Sequence, residues 1–241
     1  MKLKYLMLMF GLFSAIFASA SSFEADTFKT RNNKEVIIAF IKHGSLMLTY
    51  NKQSIQVDPV SDYADYSAFP KADVILITHE HGDHLDLKAI DVLTKKGTLL
   101  VANESAQKKT GKGVVMKNGD KTTLFDNITL EAVPAYNTTP GRDKFHPRHR
   151  DNGYVLTIDG LRIYIAGDTE DIPEMKELKN IDIAFLPVNQ PYTMTVPQAA
   201  SAAKMFAPKV LYPYHFGNTD IEKLKDELKD CSIEVRIRKM Q

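Results

Sequence analysis

Three imidazoles and two carboxylates, those of Glu80 and Asp83, fall within six residues at His79-Glu80-His81-Gly82-Asp83-His84. Imidazole nitrogen and carboxylate oxygen are side-chain donors for divalent metals. Gly82 lacks a Cβ, so the chain can fold tightly enough there to turn its neighbours toward one point. The run follows Val74-Ile75-Leu76-Ile77, a continuous apolar stretch that reads as a strand buried on both faces and leads directly into Thr78-His79. Gathering these groups at the end of a core strand is costly unless a cation compensates. The pattern therefore points to a metal centre rather than to a polar helix cap with scattered surface histidines.

Two further donors stand at strand ends. Ile163-Tyr164-Ile165-Ala166-Gly167-Asp168 is an apolar run that closes on a carboxylate, and Val210-Leu211-Tyr212-Pro213-Tyr214-His215 closes on an imidazole. Strand termini are where open sheets and barrels commonly present functional groups. Alone, Asp168 reads as a turn residue and His215 as a satisfied buried histidine; beside the six-residue cluster both read as its partners.

The elements that must position these groups alternate along the chain. Residues 36–41, 46–50 and 54–57 are short β-branched or aromatic runs, the last two separated by the turn-prone Asn51-Lys52-Gln53, and they read as an opening antiparallel meander. Leu85, Ala89, Val92 and Leu93 recur at helical spacing until Gly97. Strands are expected again at 128–133, 154–158, 161–166, 183–186, 210–214 and 233–237. Helices are expected at 173–178 and 197–206, each with proline near its start, and at 221–228. Residues 137–152 form the one long polar loop. With no linker, low-complexity tract or fixed-period repeat, residues 21–241 read as one domain of mixed sheets with outer helices.

Composition narrows the function classes. The 241 residues carry 31 Lys+Arg against 30 Asp+Glu and one cysteine, Cys231. No basic stretch is dense enough to track a phosphate backbone, so nucleic acid is not an expected partner. One cysteine excludes an intrachain disulfide and a Cys-rich zinc module, leaving an apolar core to hold the fold. At the start, Lys2 and Lys4 precede an apolar run, and Ala18-Ser19-Ala20 follows at the spacing a signal peptidase reads. The apolar run is shorter than the roughly 20 residues a membrane span needs. Residues 1–20 are thus expected to be a signal peptide, the protein to be exported to the periplasm or secreted, and no stable span to remain after cleavage.

At this point the chain resembles the metallo-β-lactamase superfamily, and within it the small hydrolases similar to the ascorbate-phosphate lactonase and to N-acyl phosphatidylethanolamine phospholipase D. The likeness runs from His43 to Phe216 through Gly44-Ser45-Leu46, Val57-Asp58-Pro59, residues 78–86, Ala166-Gly167-Asp168-Thr169 and Tyr214-His215-Phe216-Gly217. It implies an α/β fold, a four-layer αββα sandwich of two mixed sheets, with two metal sites at one edge. Carried onto these residues, it implies that His79 and His81 hold one metal, that Asp83, His84 and His215 hold the other, and that Asp168 bridges them. Asp83 and Asp168 would then serve catalysis as well as binding. Asp58 would orient a ligand imidazole from outside the shell, although a turn before Pro59 explains it equally well.

One departure affects the first metal. Many members carry a histidine just after the strand corresponding to 128–133, where this chain has Ala135-Tyr136-Asn137. The third ligand is open between Asn137, His146 and His149. An amide oxygen is a poorer zinc partner than imidazole. His146 sits between Phe145, which can anchor the loop, and Pro147, which restricts it, whereas His149 lies between two arginines whose charge repels a cation. His146 is therefore expected to close the site, with Asn137 a hydrogen-bonding or substrate-facing group. Arg142, Lys144, Arg148 and Arg150 could grip a substrate anion or simply be solvated. Tyr192 is expected to line the cleft or to lead into the next helix, and His43 reads as structural.

Two divalent cations about 3.5–4 Å apart can share a water and present it as hydroxide to a carbonyl or phosphoryl centre. Zinc is the first expectation for a His-rich shell, and manganese or iron fits the same donors. The expected function is hydrolysis of a small ester, lactone or phosphodiester, bonds that one such centre can cleave alike. The alternative is a binding or sensing protein that keeps the metals without turnover.

Overall fold

The computed structural model describes residues 23–240, so the expected signal peptide lies outside the described residues. Its first sheet runs in chain order: β1 (Ala25–Lys29), β2 (Glu35–Lys42), β3 (Ser45–Tyr50), β4 (Gln53–Val57), β5 (Val74–Ile77), β6 (Leu99–Ala102) and β7 (Val114–Val115). The second holds β8 (Lys121–Phe125), β9 (Ile128–Ala135), β10 (Asp151–Ile158), β11 (Leu161–Ile165), β12 (Ile183–Pro187), β13 (Val210–Tyr214) and β14 (Glu234–Val235), again in order. Each sheet opens as an antiparallel meander, β1 to β4 and β8 to β11, and continues with parallel strands. The four helices among the described residues are α1 (Leu87–Leu93), α2 (Glu104–Thr110), α3 (Val196–Phe206) and α4 (Lys223–Glu227).

Residue alternation explains the layers. In β5, Val74 and Leu76 enter the core between the sheets, while Ile75 and Ile77 face Ala89, Ile90 and Leu93 of α1 and Ala106 of α2. A strand with both faces buried must be apolar throughout, as this one is. On the far side, Ala199, Ala203 and Phe206 of α3 and Leu224 of α4 close over the second sheet. The result is the expected αββα sandwich of two mixed sheets.

Differences from the sequence reading concern short or polar elements. β1, β6, β7, β8 and α2 carry too little periodic signal to be expected from sequence. Residues 173–178 form a 3-10 turn, Pro173–Glu177, in place of a helix, and the strand expected at 233–237 shortens to Glu234–Val235. Helix α1 begins at Leu87 because the Asp86 side chain accepts from Lys88 N and caps it. The other Asp86 oxygen accepts from Ser61 N at 2.7 Å, which ties the helix start to the segment after β4.

A charged latch joins the two ends of the domain. Asp26 of β1 accepts from the Tyr212 hydroxyl on β13 and meets Arg238 Nη2 at 2.7 Å. Burial opposes ionisation of Asp26, but the bonds from Tyr212 and Arg238 outweigh it and hold the carboxyl below its usual range. A depressed folded pKa contributes stability above the unfolded value, here near 3.8, that is lost as pH falls through the folded pKa. Asp26→Asn is expected to lower Tm at pH 7, with the gap to wild type shrinking in melts taken below pH 3.8. A gap that stays constant with pH would show that the latch acts through packing alone.

Candidate metal centre

The parallel strands of both sheets end on the same edge, and their carboxyl ends deliver the polar groups. Asp58 follows β4, His79 follows β5, Asp168 follows β11 and His215 follows β13. Asp58, His79 and His84 are fully buried, and His146, Asp168 and His215 nearly so.

Imidazole orientation is set from behind. Asp58 accepts from Thr78 N at 2.8 Å and Thr78 Oγ1 at 2.6 Å, and its Oδ2 lies 2.8 Å from His84 Nδ1. His146 Nδ1 lies 3.0 Å from Asp151 Oδ2, and His79 Nδ1 lies 3.0 Å from Thr78 Oγ1. With Nδ1 engaged, each ring turns its Nε2 inward. Those Nε2 atoms converge on Asp168: His84 at 3.4 Å from Oδ1, and His146 and His79 at 3.4 and 3.9 Å from Oδ2. His215 Nε2 approaches the same Oδ2 at 3.2 Å and Asp83 Oδ2 at 3.5 Å.

Three groups of donors each fit within 4.8 Å: His79, His81 and His146; His79, His84 and Asp168; and His43, Asp83, His84 and His215. Asp168 thus stands between the other two sets. His79 Nε2, His84 Nε2, both His215 ring nitrogens and Asp168 Oδ1 are buried and make no hydrogen bond. Buried polar atoms are otherwise almost always paired, so this convergence of orphans fits metal ions.

The surrounding charge acts differently on each group. Burial, followed by the neighbouring imidazoles of His84 and His146, drives His79 well below its usual pKa and keeps it a neutral lone-pair donor. Burial also opposes protonation of His84, but the Asp168 and Asp58 carboxylates outweigh it and raise the pKa to about 10. Asp83 lies far below the carboxylate range, because the close approach of His215, the bond with His43 and the charge of His84 overcome its burial.

The remaining expected residues divide. Asn137 is buried and ties two loops together, its Nδ2 donating to Tyr192 O at 2.7 Å and Arg142 O at 3.3 Å. Of the three residues weighed for the first site, His146 is the one grouped with His79 and His81, whereas His149 is exposed at positive φ. Tyr192 is 44% exposed and meets the Phe145 ring edge-on at 5.0 Å. The loop cations have protein partners, and Lys144 and Arg148 are exposed to solvent as well. Arg148 meets Glu174 at 2.7 Å, Lys144 lies over the Phe145 ring, and Arg150 meets Asp151 and Glu80.

Asp151 is the residue that sequence reasoning passed over, and His43, read from sequence as structural beside the opening meander, stands at the site. The His43 ring lies 3.7 Å from that of His215, tilted by 41°, and its Nε2 lies 3.2 Å from Asp83 Oδ2. Its lone position gives no spacing signal, although Gly44 beside it has a strict role. A Cβ on Gly44 would stand 2.8 Å from His84 Cε1, a ring that Asp58 holds in place. Gly44→Ala is expected to destabilise the metal-free protein by roughly 1–3 kcal/mol, as overpacking does, and to weaken metal binding at His84. Thermal melts with metal titration check this; unchanged values in both would show that the turn yields freely.

Residues 37–215 match the family model of the beta-lactamase superfamily domain. The chain belongs to the metallo-β-lactamase superfamily. Within the metallo-β-lactamase superfamily it is similar to a UPF0173 metal-dependent hydrolase of Thermococcus kodakarensis, 32% identical over 194 residues that span 75% of this chain and 84% of the relative. A crystal structure from Parabacteroides distasonis, assigned to the metal-dependent hydrolases, is 72% identical with a TM-score of 0.90, over 91% of this chain and all of that one. The metallo hydrolase Igni18 of Ignicoccus hospitalis shares the fold at 23% identity and a TM-score of 0.71, over 84% of this chain and 94% of its own. These relatives set the chain among the metal-dependent hydrolases. Among the described residues, no helix is long and apolar enough to cross a membrane.

Proposed function

We propose that the protein is an exported hydrolase with a dinuclear metal centre, acting on a small ester, lactone or phosphodiester. The observation that carries this reading is the convergence on Asp168 of four imidazole nitrogens from three segments, three of them and one Asp168 oxygen buried without hydrogen bonds. His79, His81 and His146 would hold one cation, Asp83, His84 and His215 the other, and Asp168 would face both. Zinc suits this shell, with manganese or iron as alternatives.

Bound there, two cations would supply a water acidified toward neutral pH and a Lewis acid for the scissile oxygen. The chain's own residues supply the rest. Asp58 and Asp151 hold the His84 and His146 rings, so little reorganisation is needed at the moment of reaction. Asp168, nearly fully buried, offers a carboxylate that can orient a water by accepting its proton in a hydrogen bond. Exposed Tyr192 and half-buried Phe145 place an aromatic pair beside the His146 segment, suited to an apolar part of the substrate.

Elemental analysis combined with a panel of esters, lactones and phosphodiesters tests this reading. Two divalent cations per chain and turnover of at least one class are expected. One cation at saturation would exclude the dinuclear centre. Full metal loading with no turnover across the panel would favour the metal-holding binding protein.

A further inference from the structure

The two cations need ligands from both sheets, and a metal shell tolerates only about 0.5 Å of misplacement. The His79–His84 segment belongs to the first sheet and His146 to the loop that enters the second, so something must hold the two together. Arg150 lies where they meet. Its Nη1 is 3.1 Å from Glu80 Oε1, the side chain between His79 and His81. Its Nε and Nη2 lie 2.7 and 2.9 Å from the two oxygens of Asp151, the carboxylate behind His146. Nη2 also donates to Phe145 O at 2.7 Å, next to His146 in the chain.

Resting on the metal-centre reading above, we propose that Arg150 is a positioning residue, a clamp between Glu80 and Asp151 that sets His79 and His81 against His146 and so governs affinity for the first cation. The planar guanidinium suits the task because it can engage one carboxylate with two nitrogens and a second with a third. Facing two carboxylates, it adds no net positive charge to the site. Its partners are themselves fixed: Ser105 Oγ donates to Glu80 Oε2 at 2.6 Å, and Asn103 Nδ2 donates to Asp151 Oδ1 at 3.3 Å. Asp151 is fully buried, so loss of the guanidinium frees it to turn away from His146.

Zn2+ titration by calorimetry, with elemental analysis, on the wild-type, Arg150→Met, Arg150→Lys and His146→Ala proteins tests the clamp. Arg150→Met is expected to weaken the first cation roughly 10- to 100-fold, the usual effect of removing support behind a ligand, with the second cation changed by less than about two-fold. Arg150→Lys should fall between, since one ammonium cannot span both carboxylates. The cation kept by Arg150→Met should match the one kept by His146→Ala. If Arg150→Met lowers Tm but binds both cations with wild-type affinity, or weakens both equally, the clamp is overturned and Arg150 is an ordinary ion pair. Should Arg150→Met fail to fold, the isosteric Glu80→Gln carries the same expectation and the same refutation. A wild-type protein that holds fewer than two cations refutes the dinuclear reading instead, and the clamp falls with it.

Discussion

Asp168→Asn is expected to reduce turnover by roughly 10²- to 10³-fold, the range lost when one preorganised electrostatic group is removed from an active site. The substitution keeps the shape of the side chain but removes the charge that faces His84 through one oxygen and His79, His146 and His215 through the other. Packing around the position is unchanged, so the Tm of the metal-free protein should move far less than the activity. Steady-state rates on whichever substrate class the wild type turns over, alongside metal-free melts, give the two readouts. Wild-type turnover in this variant would remove Asp168 from any role between the cations.

His146→Ala should have the largest effect on metal content. It deletes one of three donors grouped at the first site while leaving Asp83, His84 and His215 in place. Stoichiometry is expected to fall from two cations toward one, and activity by more than the roughly 10- to 100-fold typical of changes behind a ligand. Asp151 would be left buried without the imidazole it faces, so some loss of Tm is expected as well. Two fully bound cations in this variant would return the role to Asn137 or His149.

The sequence by itself determined the parts of the centre that are local. His79, His81, Asp83 and His84 lie within one turn-rich segment after an all-apolar strand, and both facts can be read from adjacent letters. The apolar runs of β5, β11 and β13 likewise announce buried strands, and their last residues announce where donors emerge. Elements with mixed composition, such as β8 with exposed Lys121 and Thr122, carry no such pattern because they bury little.

Only the tertiary structure shows how the distant donors come together with that segment. Register is the reason: Ala135 pairs with Asp151, so residues 136–150 close as one loop at the strand ends. Asn137 N then bonds His146 O at 2.9 Å, which brings His146 back beside the end of β9. No spacing along the chain encodes that return, since it depends on strand pairing and on the length of the loop. The same holds for His43, which the turn between β2 and β3 sets against His215 from the other sheet. It holds too for Arg150, whose charge reads in sequence as a repulsion on any nearby cation. In the fold, Glu80 and Asp151 converge on that charge from two sheets and neutralise it, and contacts between sheets are fixed by packing, not by neighbours in the chain.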